Sequence, residues 1–402
     1  MSNARLIIGD TRDVTATLED GSVDLILTSP PFLALRSYLP DDHPDKGREI
    51  GSEATPADFL DVLLDLTVEW RRILAPHGSL VVELGDTYSG STNDGGPQGV
   101  GISGDGGARW RDRISGSINE QPRRGAGWPL AKSLCGIPDL YQQSLAYGRN
   151  LLRPEHTIEP WRIRSKVAWC RPNPPVGALG DKYRPATSYM TVACVSGRRY
   201  FDLDAVRETL KVPEAATPEG ARMNRATANH AHDKRALGSG GASTTKGMMS
   251  NPAGAPPLDW WEIPTHPYPG SHYATWPPAL LVKPILSMCP QRVCRVCGKP
   301  SERIMEAERI TDAVAKSDGN GKTFASNGDT SYVTLGWTDC GHNAWRNGIV
   351  LDPFAGSGTT LAVATGHGRD ALGIDIDSRN ADLAVERCGM FLTVEHHGQV
   401  PA

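Results

Sequence analysis

The sequence predicts a three-layer α/β fold in which helices cover both faces of a sheet. Apolar runs with the length of buried strands lie near both ends of the 402-residue chain, at residues 23–27 and 349–351. Each run ends in a turn, and after the second turn residues 361–368 have the pattern of a helix. Residues 58–74 carry apolar side chains at helical spacing. Such alternation of strands and helices is typical of an α/β core.

The run at residues 23–27 ends in a stiff turn formed by Ser29, Pro30, Pro31 and Phe32. Proline fixes φ and has no N–H group, so the carbonyls of Ser29 and Pro30 stay free to accept hydrogen bonds. An exposed ring beside free acceptors suits a flat ligand that carries an amino group. The alternative interpretation is a Pro-Pro turn that only ends a core strand.

The second run passes into a glycine-rich turn, residues 352–360, directly before the helical pattern. Glycine lets the backbone approach a bound cofactor, and the start of a helix offers free N–H groups. No lysine follows Gly358, and the third glycine of the dinucleotide fingerprint is missing, which excludes two common phosphate-binding loops. The next apolar run ends at Asp375, where an acid can accept ribose hydroxyls. The pattern therefore predicts a nucleoside cofactor without a polyphosphate tail.

Together these segments resemble the amino-methylating DNA methyltransferases that use S-adenosylmethionine. Residues 29–32 are similar to the catalytic tetrapeptide of that family, and residues 352–360 are similar to its cofactor loop. The catalytic element comes first in this chain, which is the permuted order of the family's β group. The resemblance implies a Rossmann-like S-adenosylmethionine methyltransferase sheet with circularly permuted motif order and a target-recognition insertion. The predicted fold also includes a small zinc-binding insertion, which rests on a cysteine and histidine pattern described below.

The resemblance also implies the residues of the site. Ser29, Pro30, Pro31 and Phe32 are the implied catalytic residues. Asp10 is similar to the acid that meets the adenine amino group, and residues 272–278 resemble the segment that contacts the methionine moiety. The implied cofactor-binding residues are Asp10, Thr28, His272, Trp276, Pro277, Asp352, Pro353, Phe354, Ala355, Gly356, Ser357, Gly358, Thr359, Thr360 and Asp375.

The implied reaction is direct methylation of an exocyclic amine on a base flipped out of double-stranded DNA. The Ser29 hydroxyl and the Pro30 carbonyl would accept the N–H groups of the amine, and Phe32 would stack on the base. Serine at position 29 favours cytosine N4, and adenine N6 remains the alternative. Two further alternatives are a catalytically inactive zinc-ribbon DNA-binding protein with a methylase fold and a methylase of proteins or small molecules.

The charge distribution agrees with a DNA substrate, although the net charge is −4. Residues 1–94 carry 7 lysine and arginine residues against 17 acidic ones. In residues 105–171 the counts are 12 against 6, and in residues 182–246 they are 11 against 6. A basic surface is what phosphate contacts require, and a merely solvated charged face is the alternative. The predicted DNA contacts are Arg109, Arg111, Arg113 and Arg184.

Four metal-ligand side chains predict a zinc knuckle. Cys294 and Cys297 form a C-x-x-C turn, and Cys340 and His342 supply two more ligands, which is enough for a tetrahedral structural site. Cys289 competes with His342 as the fourth ligand. The alternatives are a redox pair, which lacks the expected helix context, and unpaired buried cysteines.

The domain organisation is predicted as a core interrupted by insertions. No stretch approaches the about 18 apolar residues that a membrane span requires, no signal peptide is visible, and the cysteine usage suggests a reduced cytoplasmic setting. A restriction endonuclease partner and the choice between monomer and homodimer stay open. The predicted segments are residues 1–88 (catalytic half), 89–128 (flexible basic loop), 129–204 (core), 205–262 (target recognition), 263–288 (cofactor contact), 289–346 (zinc ribbon) and 347–395 (cofactor-binding half).

Overall fold

The computed structural model describes residues 2–35, 37–90, 125–174, 181–208, 254–265, 276–309, 315–317, 323–325 and 330–398. The chain forms two compact units. The first comprises Met1–Phe201, Leu258–Pro300 and His342–Ala402, and the second comprises Asp202–Pro257 and Ser301–Gly341. The predicted segment boundaries remain a proposal, because much of the two predicted insertions lies outside the described residues.

The described strands and helices alternate at both ends of the chain. The strands are β1 (Ala4–Ile8), β2 (Val23–Thr28), β3 (Leu74–Leu84), β4 (Arg149–Asn150), β5 (Arg153–Thr157), β6 (Arg162–Cys170), β7 (Thr187–Cys194), β8 (Trp260–Glu262), β9 (Arg292–Cys294), β10 (Arg303–Arg309), β11 (Ala315–Ser317), β12 (Thr323–Ala325), β13 (Thr330–Trp337), β14 (Trp345–Asn347), β15 (Ile349–Asp352), β16 (Asp370–Asp375) and β17 (Leu392–His396). The helices are α1 (Thr11–Ala16), α2 (Pro56–Ile73), α3 (Ile137–Tyr147), α4 (Pro278–Met288), α5 (Thr359–Gly366) and α6 (Asn380–Cys388).

One nine-stranded sheet forms the centre of the first unit, in the order β17-β1-β16-β15-β2-β3-β7-β6-β8. The strands from β17 to β3 are parallel, and β7 is antiparallel to both of its neighbours. The strand order reverses between β15 and β2, because β15 leads to β16 on one side whereas β2 leads to β3 on the other. Ligands of open α/β sheets bind outside the carboxyl ends of the strands at such a point.

The side chains of the central strands alternate between two apolar clusters, one on each face of the sheet. Ile26 points into the cluster that α2 covers, whereas Leu25 and Leu27 point into the cluster that contains residues of α4 and α5. Thr55 is the N-cap of helix α2, and its side chain accepts a hydrogen bond from the Asp58 N–H. The three-layer α/β fold and its mostly parallel sheet are therefore confirmed.

The second unit contains two antiparallel strand pairs, β10 with β13 and β11 with β12. Arg303 on β10 forms a bidentate ion pair with the buried Asp202, at 2.9 and 2.7 Å, and lies over the ring of Trp337. Among the described residues of the whole chain, no helix is long and apolar enough to cross a bilayer.

Candidate active site

A cleft opens at the carboxyl ends of β1, β16, β15 and β2, where the strand order reverses. Three segments that the sequence singled out for the cofactor meet there, namely Asp10 after β1, Asp375 at the end of β16 and the glycine-rich turn after β15. The lining residues are Asp10, Thr11, Arg12, Ser29, Pro31, Tyr38, Leu39, Arg48, Glu49, Ile50, Trp276, Asp352, Pro353, Phe354, Ala355, Gly356, Ser357, Thr359, Asp375, Ile376, Asp377 and Asn380.

Asp352 fixes the start of the glycine-rich turn. Its carboxylate is 2% exposed and accepts hydrogen bonds from the hydroxyls of Thr28 at 2.7 Å and Thr360 at 2.5 Å, and from the Phe354 N–H at 3.1 Å. Burial raises the pKa of Asp352 to about 6. Because Thr28 ends β2, these bonds hold the turn against the strand that leads to Ser29.

Asp375 holds the middle of the same turn. Its carboxylate accepts hydrogen bonds from the N–H groups of Gly356 at 2.7 Å and Asp377 at 2.8 Å, and from the Asn380 amide at 3.0 Å. Burial raises the pKa of Asp375 to about 6. Gly358 has a φ of +76°, and a Cβ there would lie 3.0 Å from Ala384. Glycine is needed at this position for both conformation and space.

Asp10 lies between two arginines at the end of β1. Its Oδ1 accepts hydrogen bonds from the Arg12 N–H at 2.8 Å and from the Arg12 Nε at 2.9 Å. Its Oδ2 is 2.8 Å from both the Arg12 Nη2 and the Arg48 Nε. A carboxylate has about four acceptor positions, so these donors occupy all of them.

Ser29 is held by a buried acid that the sequence analysis did not select. The Ser29 Oγ donates a hydrogen bond to the Glu83 Oε2 at 2.6 Å. Glu83 lies near the end of β3 and is 2% exposed, and burial raises the pKa of its carboxyl. The sequence did contain a signal for Glu83, because it is an acid inside the apolar run of residues 80–84. Burying an ionisable group is costly unless it is paired, so an acid in such a run indicates a specific partner.

Two glycines support the rest of the tetrapeptide. A Cβ at Gly85 would lie 2.6 Å from the ring of Phe32, and one at Gly51 would lie 2.9 Å from the Phe32 carbonyl. Gly51 has a φ of +94°, and its carbonyl accepts the Ala34 N–H at 2.7 Å. The ring of Phe32 therefore lies directly on the backbone that follows β3.

The structure brings most of the predicted cofactor residues together, but not all. Thr28 and Thr360 direct their hydroxyls to Asp352. Thr28, Pro277, Gly358 and Thr360 do not line the cleft, and neither do Pro30 and Phe32 of the tetrapeptide. His272, Arg109, Arg111 and Arg113 lie outside the described residues, and Arg184 is exposed. Lining residues that the sequence analysis did not name include Thr11, Arg12, Tyr38, Arg48 and Ile50.

Three of the predicted zinc ligands form a cluster within the first unit. The ligand atoms of Cys294, Cys297 and His342 all lie within 4.8 Å of one another. The fourth predicted ligand, Cys340, belongs to the second unit. The Cys294 Sγ is 3.5 Å from the His342 Nδ1 and accepts the Val296 N–H at 3.4 Å. Cys289, the competing fourth ligand, is buried outside this group.

Comparison with known proteins shows the family to which the chain belongs. The family model described as DNA methylase matches residues 23–294 and 340–386, which is most of the chain. The chain therefore belongs to the DNA methylase family and is a DNA methyltransferase. This result confirms the family and the enzyme class that the sequence predicted.

Individual relatives are distant and cover nearly the whole chain. Type II methyltransferase M.SmaI of Serratia marcescens is 24% identical over 391 residues, which are 96% of this chain and 91% of the relative. Type II methyltransferase M.Cfr9I of Citrobacter freundii is 24% identical over 388 residues, 96% of this chain and 88% of the relative. The solved PvuII DNA methyltransferase (cytosine-N4-specific) is 13% identical with a TM-score of 0.46, covering 96% of this chain and 86% of the other.

Proposed function

We propose that this enzyme transfers a methyl group from S-adenosylmethionine to the N4 amine of cytosine at a specific site in double-stranded DNA. The observation that carries the proposal is the hydrogen bond from Ser29 to the buried Glu83 at the edge of the cleft. The full-length similarity to two Type II methyltransferases supports site-specific action.

The cleft suits a nucleoside cofactor without phosphates. Its glycine-rich turn lacks the lysine of a phosphate loop, and Asp375 at the end of β16 has an acceptor position left for a ribose hydroxyl. Thr11 and Ser357 line the cleft, and their hydroxyl oxygens are buried without a hydrogen-bond partner among the described residues. When bound, S-adenosylmethionine would supply a methyl group carried on a sulfonium. The sulfur would leave as a neutral thioether and keep the electron pair of the carbon–sulfur bond.

Ser29 and Glu83 can accept, in relay, the proton that the amine must lose. A Ser29 hydroxyl that donates to Glu83 has its oxygen lone pairs free to accept an N–H of the cytosine amine. Together with the Pro30 carbonyl, this contact localises the nitrogen lone pair for attack on the methyl carbon. After the N–C bond forms, the amine gives a proton to the Ser29 Oγ while the hydroxyl proton passes to Glu83. Proton transfer of this kind contributes about 10²–10⁴-fold to a rate.

Base flipping is the proposed route to this contact, because the amine must leave the stack to reach Ser29. The choice of cytosine rests on the serine at position 29, and adenine N6 is the alternative. Phe32, whose ring lies on Gly85, is the proposed stacking surface for the base.

The basic segment around residue 110 is the proposed DNA-binding segment, and it is expected to contact phosphates. Replacing Arg109, Arg111 and Arg113 together by alanine should weaken DNA binding and lower the salt slope by up to about three phosphate contacts. As a matched control, Arg5→Ala removes an arginine that pairs with Glu395 on β17 and should leave DNA affinity unchanged. Fluorescence anisotropy on specific and random duplexes measures both. Unchanged affinity of the triple variant would assign recognition to other residues.

A structural zinc ion is the second proposed bound group. Zn–S and Zn–N bonds of about 2.3 and 2.0–2.1 Å at a tetrahedral angle place the two ligand atoms about 3.5 Å apart, which matches the Cys294–His342 distance of 3.5 Å. The N–H of Val296 donates to the Cys294 Sγ, and the Gly298 N–H donates to the Cys294 carbonyl at 2.9 Å. Thiolate ligands held by backbone donors are what a closed zinc site needs.

Loss of this zinc should destabilise the cofactor-binding strand. Strand β9, which carries Cys294, pairs with β14, and β14 leads directly into β15. Metal analysis should find about one zinc per chain, and Cys297→Ser should lower both the zinc content and the melting temperature. Cys170→Ser, outside the cluster, should keep the metal. Zinc-free protein with full activity and stability would contradict the proposal.

A further inference from the structure

Arg171 is a charged side chain at the active-site edge of the sheet to which the proposed reaction gives no role. It follows the last residue of β6, and its N–H donates to the Ala186 carbonyl at 2.8 Å, which extends the pairing of β6 with β7 by one residue. Because β7 is antiparallel to both β3 and β6, the strands β3 and β6 run in the same direction. The end of β6 therefore lies at the edge where β3 ends and where Glu83 meets Ser29.

The side chains of Arg171 and Glu83 lie on the same face of this sheet. Glu83 on β3 pairs with Met190 on β7, and Met190 pairs with Val167 on β6. Paired residues share a face, and so do residues two apart in a strand. Both apolar partners belong to the cluster that contains residues of α4 and α5, as does Trp169. Two residues beyond Trp169, the Arg171 guanidinium lies over the indole ring, 5.1 Å from its centre.

Two opposite charges act on each other across this face. Arg171 is partly buried, and it forms no ion pair with a carboxylate of the described residues. Burial lowers the pKa of Arg171, and the charge of Glu83 raises it. Burial raises the pKa of Glu83, whereas Ser188, Ser29 and the charge of Arg171 lower it. Each of the two groups therefore stabilises the charged form of the other.

No second charged side chain among the described residues faces Glu83. On β2 the carboxyl meets the Ser29 hydroxyl, and on β7 it meets Ser188, whose Oγ lies near it without completing a hydrogen bond. Helix α4 packs on this face, and its one lysine, Lys283, lies over the ring of Trp261 at 5.0 Å. A buried carboxylate is costly unless an opposite charge compensates it. Within the described structure that compensation comes from one guanidinium.

We propose that Arg171 is a positioning residue that keeps Glu83 in its carboxylate form beside Ser29. The inference rests on the proposed role of Glu83 as the proton acceptor and adds to it the group that keeps this acceptor ready. Arg171 acts through Glu83 and not on the reacting atoms. Without the guanidinium, the carboxyl would hold its proton to a higher pH, and the relay from the amine would stop at the Ser29 hydroxyl.

The first test is the pH dependence of single-turnover methylation in the wild-type enzyme, Arg171→Met and Arg171→Lys. Methionine removes the charge and keeps an apolar contact with Trp169, so the acidic limb should move up by about one pH unit, with the rate at high pH retained. Lysine keeps the charge and should keep the limb close to that of the wild type. In the Glu83→Gln background, which has no carboxyl to influence, Arg171→Met should not move the limb.

Infrared difference spectroscopy of the enzyme without ligands follows the ionisation of Glu83 independently of the reaction. The carbonyl band of a protonated carboxyl that disappears in Glu83→Gln belongs to Glu83, and its titration midpoint should rise in Arg171→Met by the same amount as the rate limb. Lys182→Met is the matched control. Lys182 precedes β7 at the same edge of the sheet and lies over the ring of Tyr88 at 3.7 Å, so its loss should leave both midpoints unchanged.

The two measurements separate the inference from the proposed function. An infrared midpoint that stays unchanged in Arg171→Met would overturn the inference and leave the proposed reaction intact. A midpoint that rises while the rate limb stays in place would support the influence of Arg171 on Glu83 and overturn the role of Glu83 in the reaction. Should Arg171→Met fail to fold, Arg171→Gln also removes the charge and gives the same comparison.

Discussion

Ser29→Ala is expected to lower kcat by about 10²–10³-fold while the Kd for S-adenosylmethionine stays within about twofold. The expected loss in kcat is set by comparison with other single hydrogen-bonding groups that stabilise a transition state. Removing one such group costs about 3–4 kcal/mol. The hydroxyl touches the cytosine amine in the proposed mechanism, whereas the cofactor contacts come from Asp375 and the glycine-rich turn. An effect on kcat without an effect on cofactor binding is therefore the expected signature.

Single-turnover methylation of an oligonucleotide duplex measures this effect without interference from product release. Ser22→Ala is the matched control, since Ser22 lies outside the cleft and should retain full activity. Near wild-type methylation by Ser29→Ala would remove the hydroxyl from the mechanism. A large rise in the cofactor Kd would show that Ser29 belongs to the cofactor site instead.

Glu83→Gln is expected to lower kcat by about 10²-fold and to change the pH profile. Glutamine keeps an acceptor for the Ser29 hydroxyl and cannot take the proton, so it removes the general-base contribution only. Burial raises the pKa of Glu83, and the carboxylate form is the active one. The wild-type rate should therefore fall, as the pH is lowered, at a higher pH than an ordinary glutamate would give. The contribution of Glu83 to this acidic limb should be absent in Glu83→Gln, whereas Asp352 and Asp375, with pKa values of about 6, still titrate in the variant.

Stability provides the control for the same variant. An acid whose pKa is raised by folding stabilises the folded state only below its unfolded pKa, and that contribution is lost as the pH rises through the folded value. Above the folded pKa the buried carboxylate of Glu83 opposes folding, so in that range Glu83→Gln should not lower the melting temperature. Full activity of a folded Glu83→Gln, or an acidic limb unchanged from that of the wild type, would contradict the assigned role.

The difference between the predicted and the observed site is clearest at Glu83 and Thr28. The tetrapeptide, the glycine-rich turn and Asp375 are local patterns, and a sequence displays them directly. Glu83 meets Ser29 only because β2 and β3 are adjacent in a particular register, which pairs Thr28 with Val82. Ser29 and Glu83 are 54 positions apart in the chain, so no local sequence pattern predicts their contact.

Thr28 shows the opposite case, in which a residue predicted to bind the cofactor has a structural role instead. The family resemblance implied a cofactor contact for Thr28, yet its hydroxyl is buried and donates to the Asp352 carboxylate, which connects the ends of two strands. The arginines around Asp10 were missed for a similar reason. Arg48 belongs to a short 3₁₀ turn, Lys46–Arg48, and reaches Asp10 through tertiary packing that residue spacing does not encode.

The most direct test of the central claim is nucleoside mass spectrometry of DNA from cells that express the enzyme, compared with cells that express Ser29→Ala. The account predicts N4-methylcytosine with the wild-type enzyme and its absence with the variant. N6-methyladenine in place of N4-methylcytosine would contradict the choice of base while retaining amino methylation. Neither modified base, from an enzyme shown to be folded and to bind S-adenosylmethionine, would contradict the proposed reaction itself.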